Sequence, residues 1–510
     1  MTARHTCKVK LVHTRHIRSN LLANLFGQGW SALMALVFVP FYLHFIGASG
    51  FGLIGFFMTL SALLVIMDGG LGATVTREAV AYPLSTGADR RNLADMLRTV
   101  EVLFLLIALV IGIGLVALSP VLADSWLHVP PEKYPDVSRG LTLAGIAIAL
   151  QFPLAFYTGC WIGLQRQVSL NVVNAISTTC RGGGAVLLLW LYSPTVTVFF
   201  AWQCVASALT LSCFHVLVWK SLGSPKARFQ LGSIHRTGRF TAGVGLINVL
   251  GLLLTQLDKV ILSRLLSLES FGYYMIAWSA GTLTLRATGP VFNTYYPRIA
   301  QLADGHGSNS DLQDTYLQAA GLLSVAVVPA TLVLAFFGHT LLFAWTGSQV
   351  AANSASLPLT LISIGTMCNA FMHLPYALQL AHKKTRLSLV QNLVAAALFP
   401  ILTITLVRQY GLQGAAWPWL LLNIGYMLFS APLAYRKLLD SARKPWYLKC
   451  VLTPMALAIT VVLPLFACSI VLNAPIEQIF LAVAAFAASF AACIWNTGWK
   501  QVSSLWLKDE

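Results

Sequence analysis

Apolar runs of about twenty residues recur along almost the whole chain, and each is long enough for a helix to cross the hydrocarbon core of a bilayer. Charged residues make up only 10% of the 510 residues, whereas a soluble globular domain carries about 25%. Too few charges remain to cover a soluble surface of this size. We therefore predict an all-α polytopic membrane protein with about fourteen transmembrane helices, because a helix satisfies its own backbone hydrogen bonds in lipid. The predicted spans are 21–46, 51–74, 99–119, 140–163, 170–192, 195–218, 241–264, 271–296, 317–338, 356–380, 387–407, 412–435, 450–472 and 477–497.

The distribution of Lys and Arg predicts the orientation. A basic segment precedes the first apolar run, and that run is too long for the core of a signal peptide. Most other cationic residues fall in alternate loops, and the positive-inside rule then predicts that both termini are cytoplasmic. The same rule accounts for the net charge of +16, so we expect no nucleic-acid partner. The predicted outer loops hold only Lys133, Arg139, Arg264 and Arg408.

The sequence lacks the motifs that are typical of several functional classes. The nine Cys residues form no CxxC pair and lie mostly in apolar runs, so we expect neither a metal site nor a disulfide framework. No GxxxxGK[ST] loop for ATP hydrolysis occurs, and we expect no cofactor. A membrane-bound glycosyltransferase or polymerase would need a large catalytic outer loop or a carboxylate cluster, and neither is visible. A transport protein, rather than an enzyme, is the prediction.

An internal repeat predicts the domain organisation. Residues 51–77 align with residues 271–298, because each segment opens on Phe-Gly, continues through a helix interrupted by small residues and ends on Arg. The repeat predicts two pseudo-repeated six-helix lobes, with a helix pair added at the C-terminal end. The predicted segments are a basic N-terminus at 1–20, an N-lobe at 21–218, a linker at 219–240, a C-lobe at 241–435, the helix pair at 436–497 and a cytoplasmic tail at 498–510.

Two arginines lie near the middle of predicted spans. Arg181 precedes Gly182-Gly183-Gly184, which would allow the close approach of a ligand or another helix, and Arg286 precedes Gly289-Pro290, which should kink or unwind its helix. A guanidinium at bilayer depth costs several kcal/mol unless it faces water, a partner or a ligand. We predict that both face a hydrated cavity that receives an anionic group, although a packing role is the alternative.

Further charges and polar groups lie inside predicted spans. Lys259 is a weaker candidate for a cavity cation, and Asp68 and Asp258 are candidate cavity or coupling acids. Asp258 and Lys259 could instead serve packing alone, and Asp68 could pair with one of the arginines. His215 and His373 fit packing or proton coupling. The amides, among them Asn369, Gln391 and Asn392, fit helix association or sugar binding. Aromatic residues near span ends fit interfacial anchors: Trp126, Tyr134, Trp161, Trp219, Trp446 and Tyr447.

Four segments resemble a known family. They are DGGLGATVTRE from Asp68, QLDKVILSRLLSLESFGYYMIAWSAGTL from Gln256, the run to TYYPRIAQL, and YGLQGAAWPWLL at 410–421. Together they resemble the polysaccharide transport (O-antigen and exopolysaccharide flippase) family of the multidrug/oligosaccharidyl-lipid/polysaccharide exporter superfamily. The resemblance covers roughly residues 18–435, and the added C-terminal pair departs from the common family pattern.

The resemblance implies a function and a cargo. It implies a flippase of the bacterial inner membrane that moves an undecaprenyl-pyrophosphate-linked glycan, an O-antigen or exopolysaccharide repeat unit, by alternating access. Cavity cations would hold the pyrophosphate, and Arg181 and Arg286 suit that role. Membrane lipids are expected partners, and a polysaccharide polymerase or ligase is a further candidate. A lipid II-type flippase and a cation-coupled multidrug exporter of the same fold are the alternatives. The net positive charge inside the spans disfavours the exporter of cationic drugs.

Overall fold

The computed structural model describes residues 19–20, 23–24, 26–64, 68, 71–127, 129–223, 227–229, 255–305, 308–472 and 474–497. Most of these residues are helical, and no strand occurs among them, so the all-α prediction is confirmed. Ten helices in the described ranges are long and apolar enough to cross a membrane. The chain is therefore a multi-pass membrane protein, and the count of about fourteen spans stays a prediction. The predicted cytoplasmic tail at 498–510, and nearly all of the predicted N-terminus at 1–20, lie outside the described residues.

The chain divides into two compact units, Met1–Leu268 (unit 1) and Glu269–Glu510 (unit 2). The predicted linker at 219–240 lies mostly outside the described residues, and the predicted segment boundaries stay predictions. The described helices of unit 1 are α1 (26–37), α2 (Val39–Leu64), α3 (Leu71–Ala81), α4 (Gly87–Val121), α5 (Tyr134–Gln151), α6 (Leu154–Gly163), α7 (Gln167–Leu191), α8 (Val196–Leu222) and α9 (255–265).

The helices of unit 2 continue to the C-terminal pair. The described ones are α10 (Leu268–Gly281), α11 (Thr288–Ala303), α12 (Asn309–Phe336), α13 (Gly338–Thr346), α14 (Gln349–Ala381), α15 (Arg386–Tyr410), α16 (Trp417–Gly425), α17 (Ala431–Leu438), α18 (Asp440–Pro445), α19 (Thr453–Val471) and α20 (Pro475–Thr497). Helices α12 and α14 pack against each other at the centre of this unit, and α19 and α20 pack against α12. The C-terminal pair therefore belongs to the same compact unit as the helices that precede it.

The core of unit 1 is aromatic and lies where α4, α6 and α8 meet. Phe104, Phe156, Trp161 and Phe214 are almost fully buried there, and the rings of Trp161 and Phe214 lie 4.9 Å apart. In unit 2, Trp446 is likewise fully buried against Tyr435. The prediction that Trp161 and Trp446 are interfacial anchors was therefore wrong, because both side chains fill the packed interior of a helix bundle.

Glycine and proline set the helix breaks. In α2, Gly47 has φ 68° and ψ −179°, a conformation that only glycine adopts without strain, and it separates the first two predicted spans. Residues Leu283–Ala287 form a 3₁₀ segment between α10 and α11. Pro290 follows this segment by three residues, and its ring excludes a regular turn with the carbonyl four residues earlier, that of Arg286. The predicted distortion at Gly289-Pro290 thus lies just before the proline.

The two segments of the predicted repeat each place a charged residue between two described helices. Asp68 lies between α2 and α3 in the first segment, and Arg286 lies in the 3₁₀ segment between α10 and α11 in the second.

Candidate functional site

Arg181 lies in the middle of α7 and contacts only neutral side chains. Its Nη2 donates to Ser207 Oγ on α8 at 2.6 Å, and its Nη1 donates to Gln151 Oε1 at the end of α5 at 3.2 Å. Its Nε is buried and has no acceptor in the described part of the chain. A guanidinium has five N–H donors, so most of its capacity is unused. Within the described ranges, no carboxylate neutralises this charge.

The three glycines after Arg181 accept aromatic rings against α7. A Cβ atom at Gly182 would overlap the ring of Phe38, and one at Gly184 would overlap Trp202, whereas Gly183 has only one neighbour, a Phe38 atom at 3.9 Å. Trp202 Nε1 also donates to the carbonyl oxygen of Arg181 at 3.2 Å. The groups that approach at Gly182 and Gly184 are aromatic side chains, whereas the sequence predicted the approach of another backbone or a ligand. This packing fixes the helix that carries the guanidinium.

Arg286 lies in the 3₁₀ segment between α10 and α11 and is exposed. It makes no hydrogen bond and no ion pair with the residues that the structure describes. A cation in this position has its full donor set available. Arg181 and Arg286 thus lie in different units, and neither has a carboxylate partner among the described residues.

Asp258 and Lys259 form a buried ion pair on α9. The Lys259 Nζ atom donates to the two carboxylate oxygens of Asp258 at 3.0 and 3.1 Å and to the Thr255 carbonyl oxygen at 2.8 Å. The residues are 2% and 3% exposed. The two charges compensate each other, so Lys259 is less suited than either arginine to bind an external anion.

Asp68 contacts the start of α3. Its Oδ1 accepts the backbone N–H of Gly72 at 2.9 Å, which is the contact of a residue that caps a helix N-terminus. No pairing of Asp68 with Arg181 occurs among the described residues of unit 1. The structure therefore gives Asp68 a local structural contact and leaves its predicted role in a cavity unassigned.

A charged cluster that the sequence analysis did not identify surrounds Glu101 on α4. Glu101 is fully buried, and one of its oxygens accepts Tyr157 Oη at 2.6 Å, lies 2.8 Å from His215 Nδ1 and accepts Trp219 Nε1 at 2.9 Å. The other oxygen pairs with Arg98 one turn earlier on α4.

The cluster joins three helices through one carboxylate, since its donors lie on α4, α6 and α8. A glutamate inside the third predicted span was the available sequence signal. Arg98 is its i,i+3 neighbour, but the other three partners are 56 to 118 residues away, and no spacing rule connects them to Glu101. We refer to Glu101 and these four donors as the Glu101 cluster.

A charge-free polar pocket lies in unit 2 between α14, α15 and the residues that follow α16. It has a volume of about 280 Å³, and its walls carry Asn369, His373, Tyr376, Gln391, Asn392 and Tyr426. None of its lining residues is Asp, Glu, Lys or Arg. We refer to it as the amide pocket. The sequence analysis named several of these residues, but not the pocket that they form together.

No group of three or more His, Cys, Asp or Glu side chains in the described ranges could hold a metal ion.

Among solved structures, the lipid II flippase MurJ in an inward closed conformation aligns with a TM-score of 0.67 at 13% sequence identity, over 93% of this chain and 98% of that chain. An inward-facing multidrug resistance MATE family transporter of the MOP superfamily aligns with a TM-score of 0.60 at 16% identity, over 81% of this chain and 96% of the other. At these identities the likeness establishes a shared fold.

Sequence comparison gives the family. A Shigella flexneri protein described as "Putative O-antigen transporter" is 21% identical over 411 residues, which is 79% of this chain and 94% of that protein. All of these proteins are named as transporters or flippases, in agreement with the prediction of a transport protein rather than an enzyme. The model of the polysaccharide biosynthesis protein family matches residues 17–303, more than half of the chain. The chain therefore belongs to the polysaccharide biosynthesis protein family, as its sequence motifs predicted.

Proposed function

We propose that this protein is a flippase that moves a polyprenyl-pyrophosphate-linked oligosaccharide, an O-antigen or exopolysaccharide repeat unit, across the bacterial inner membrane by alternating access. The observation that carries the proposal is the environment of Arg181. This guanidinium lies in an apolar helix, and among the residues that the structure describes it has only neutral partners, which occupy two of its five donors. A permanent charge at that depth is costly and is retained when it has a function.

A pyrophosphate fits what the two arginines offer. Arg binds phosphate oxygens with two parallel N–H donors. Arg286 supplies an exposed guanidinium in unit 2, and Arg181 supplies a partly buried one in unit 1. Lys259 contributes less, because Asp258 already neutralises it. Asp258 is then a structural acid, and the contact of Asp68 with Gly72 supports the same assignment for Asp68.

The bilayer and the protein would accommodate different parts of the cargo. The polyprenyl tail can stay in the bilayer throughout, so only the sugars and the pyrophosphate need a polar path. The ligand drives the conformational equilibrium only to the extent that it binds one state more tightly than the other. Arginines that contact the phosphates in one state more fully than in the other would supply that difference. Membrane lipids are direct partners in this scheme, and a polymerase or ligase would act on the exported product.

A lipid II-type flippase is the second candidate. Its cargo has the same pyrophosphate-lipid chemistry, and the fold match to the lipid II flippase extends over 93% of this chain. A multidrug exporter on the same fold would need acidic side chains free to attract cationic drugs. In the described ranges, the intramembrane acids are instead engaged with Lys259, with a backbone N–H, or with the donors of the Glu101 cluster, which disfavours that alternative.

The test is a strain that lacks this chain and is complemented with variants. The deletion should accumulate lipid-linked glycan on the cytoplasmic side and lose surface glycan, and the wild-type gene should restore both. Arg286→Lys keeps the charge but loses the two-pronged donor geometry, so we expect roughly a tenfold drop in surface glycan at equal protein level.

Arg408→Lys is the matched control, because Arg408 is an exposed arginine at the end of α15. It should leave surface glycan unchanged. Wild-type export by Arg286→Lys would refute the assigned role of Arg286. Resistance to cationic dyes without any effect on surface glycan would refute the flippase and favour the drug exporter.

A further inference from the structure

The amide pocket of unit 2 has rigid walls. Gln379 Oε1 on α14 accepts both the backbone N–H and the hydroxyl of Ser388 on α15, at 3.1 and 2.8 Å. Asn369 Nδ2 on α14 donates to Asn423 Oδ1 on α16 at 2.8 Å. These bonds hold the three helices around the pocket, so its shape is set before any ligand arrives.

Two side chains in this pocket have unused hydrogen-bonding groups. His373 and Asn392 line the space, and neither makes a hydrogen bond to another described residue. Asn369 donates to Asn423 through its side-chain nitrogen, so its side-chain carbonyl oxygen has no partner among the described residues. Amide and imidazole groups inside a membrane helix bundle cost free energy when they lack partners. Their concentration around one open volume indicates that a polar ligand completes them.

The hydrogen-bonding side chains that line the pocket indicate which kind of ligand it can bind. The walls offer amide N–H donors, amide C=O acceptors and an imidazole, together with the two phenol groups of Tyr376 and Tyr426. Sugar hydroxyls both donate and accept, so they match such a mixed set. A phosphate would need positive charge, and a hard metal cation would need a shell of oxygen ligands. The lining residues supply no charge at all.

The size of the pocket limits the ligand further. A volume of about 280 Å³ lies just below the roughly 300–1,000 Å³ of small-molecule sites. That volume suits one sugar residue and is too small for a complete repeat unit. The tyrosine rings offer apolar faces to the C–H groups of a sugar ring while their hydroxyls remain polar.

We propose that the amide pocket is a subsite for one uncharged sugar residue of the transported glycan, with Asn392 and His373 as its principal contacts. The inference rests on the proposed function, since it specifies where the neutral part of that cargo binds. It assigns the sugar to a charge-free site in unit 2, and it separates sugar recognition from phosphate recognition by the arginines.

The experiment compares two ligands on the full-length protein in nanodiscs. One ligand is the lipid-linked oligosaccharide extracted from the deletion strain, and the other is undecaprenyl pyrophosphate without sugars. Asn392→Leu should weaken binding of the glycolipid by about tenfold, the effect of one lost hydrogen bond together with a group left unpaired. It should leave the dissociation constant of undecaprenyl pyrophosphate unchanged. His373→Leu should behave in the same way.

Asn174→Leu is the matched control, because Asn174 is an amide within α7 of unit 1 and does not line the amide pocket, and it should affect neither ligand. If Asn392→Leu does not elute as a folded monodisperse protein, His373→Gln and Asn392→Ser replace it. The sugar subsite would be overturned if the variant bound both ligands more weakly to the same extent, or if it bound neither ligand more weakly. A variant in which only the sodium dependence of binding changed would also overturn it.

The proposed function fails in a different arm of the same experiment. If the wild-type protein binds undecaprenyl pyrophosphate no more tightly than phosphatidylglycerol, the pyrophosphate cargo is wrong. If that ligand binds and only the response to the sugars is missing, the amide pocket alone is refuted.

Discussion

Two charged groups in unit 1, Glu101 and Arg181, occupy opposite kinds of environment. The Glu101 carboxylate is fully buried, and it is surrounded by donors from three helices, including the cation of Arg98. Arg181 has two neutral partners and a buried Nε atom that lacks an acceptor within the described residues. Donors of the protein contact both oxygens of the Glu101 carboxylate, whereas Arg181 has N–H donors that lack an acceptor among the described residues.

The difference separates a structural charge from a functional one. A buried charge whose partners are all internal can stabilise the fold, and removing one member leaves the others uncompensated. A buried charge whose donors lack partners contributes little to the stability of the fold, because the protein's own hydrogen bonds do not offset the cost of its desolvation. It is then retained for an external partner. The comparison therefore predicts that Glu101 variants lose stability and that Arg181 variants lose transport.

Replacing Glu101 should give the largest loss of stability. Glu101→Ala removes the shared acceptor of Tyr157, His215 and Trp219 and leaves Arg98 without its carboxylate, so we expect destabilisation on the order of 3 kcal/mol. The thermal midpoint of the detergent-solubilised protein should fall, and the yield of monodisperse protein should fall with it. A Glu101→Ala protein as stable as wild type, but inactive in transport, would place Glu101 in the functional class instead.

Adding a methyl group beside Arg181 should have the next largest effect. At Gly182 a Cβ atom would overlap the ring of Phe38, whereas the only neighbour at Gly183 is 3.9 Å away. Gly182→Ala should therefore destabilise the protein by about 1–3 kcal/mol through overpacking. Gly183→Ala should be neutral or slightly stabilising, because alanine favours the helix.

The pair Gly182→Ala and Gly183→Ala tests the packing of α7 with a single methyl group at adjacent positions. Thermal unfolding of both proteins in the same detergent is the measurement. Equal stabilities would mean that Phe38 does not contact α7 as described, and the account of how the arginine is positioned would then be wrong.

The features that the sequence predicted well are local ones. Apolar length predicts membrane helices, and the break at Gly47 and the distortion before Pro290 follow from the backbone chemistry of one residue each. The glycines after Arg181 indicated a site of close approach, but the sequence suggested a backbone or a ligand, whereas aromatic rings lie at Gly182 and Gly184. Such signals are contained within one helix, so they can be read without knowledge of its neighbours.

The features that were missed depend on residues far apart in the chain. Tyr157 and Trp219 contact Glu101 across 56 and 118 positions, and no periodicity connects them. Trp161 and Trp446 looked like interfacial anchors because tryptophan near the end of an apolar run commonly is one. Their burial depends on Phe214 and Tyr435, which arrive from other helices. The amide pocket escaped prediction for the same reason, since its polar residues come from separate helices.

The smallest change in stability should come from replacing Arg181 itself. In Arg181→Leu, an apolar side chain takes the place of a desolvated cation, an exchange that is often neutral or stabilising. Gln151 keeps its bond to the Ala147 carbonyl oxygen, and the hydroxyl of Ser207 can turn to a carbonyl of its own helix. We therefore expect a stability change within about 0.5 kcal/mol together with loss of surface glycan in the complemented strain. Thermal unfolding and glycan export measured on the same variant separate the two effects. If Arg181→Leu unfolded as readily as Glu101→Ala, the distinction between the two charges would collapse, and Arg181 would be one more structural residue.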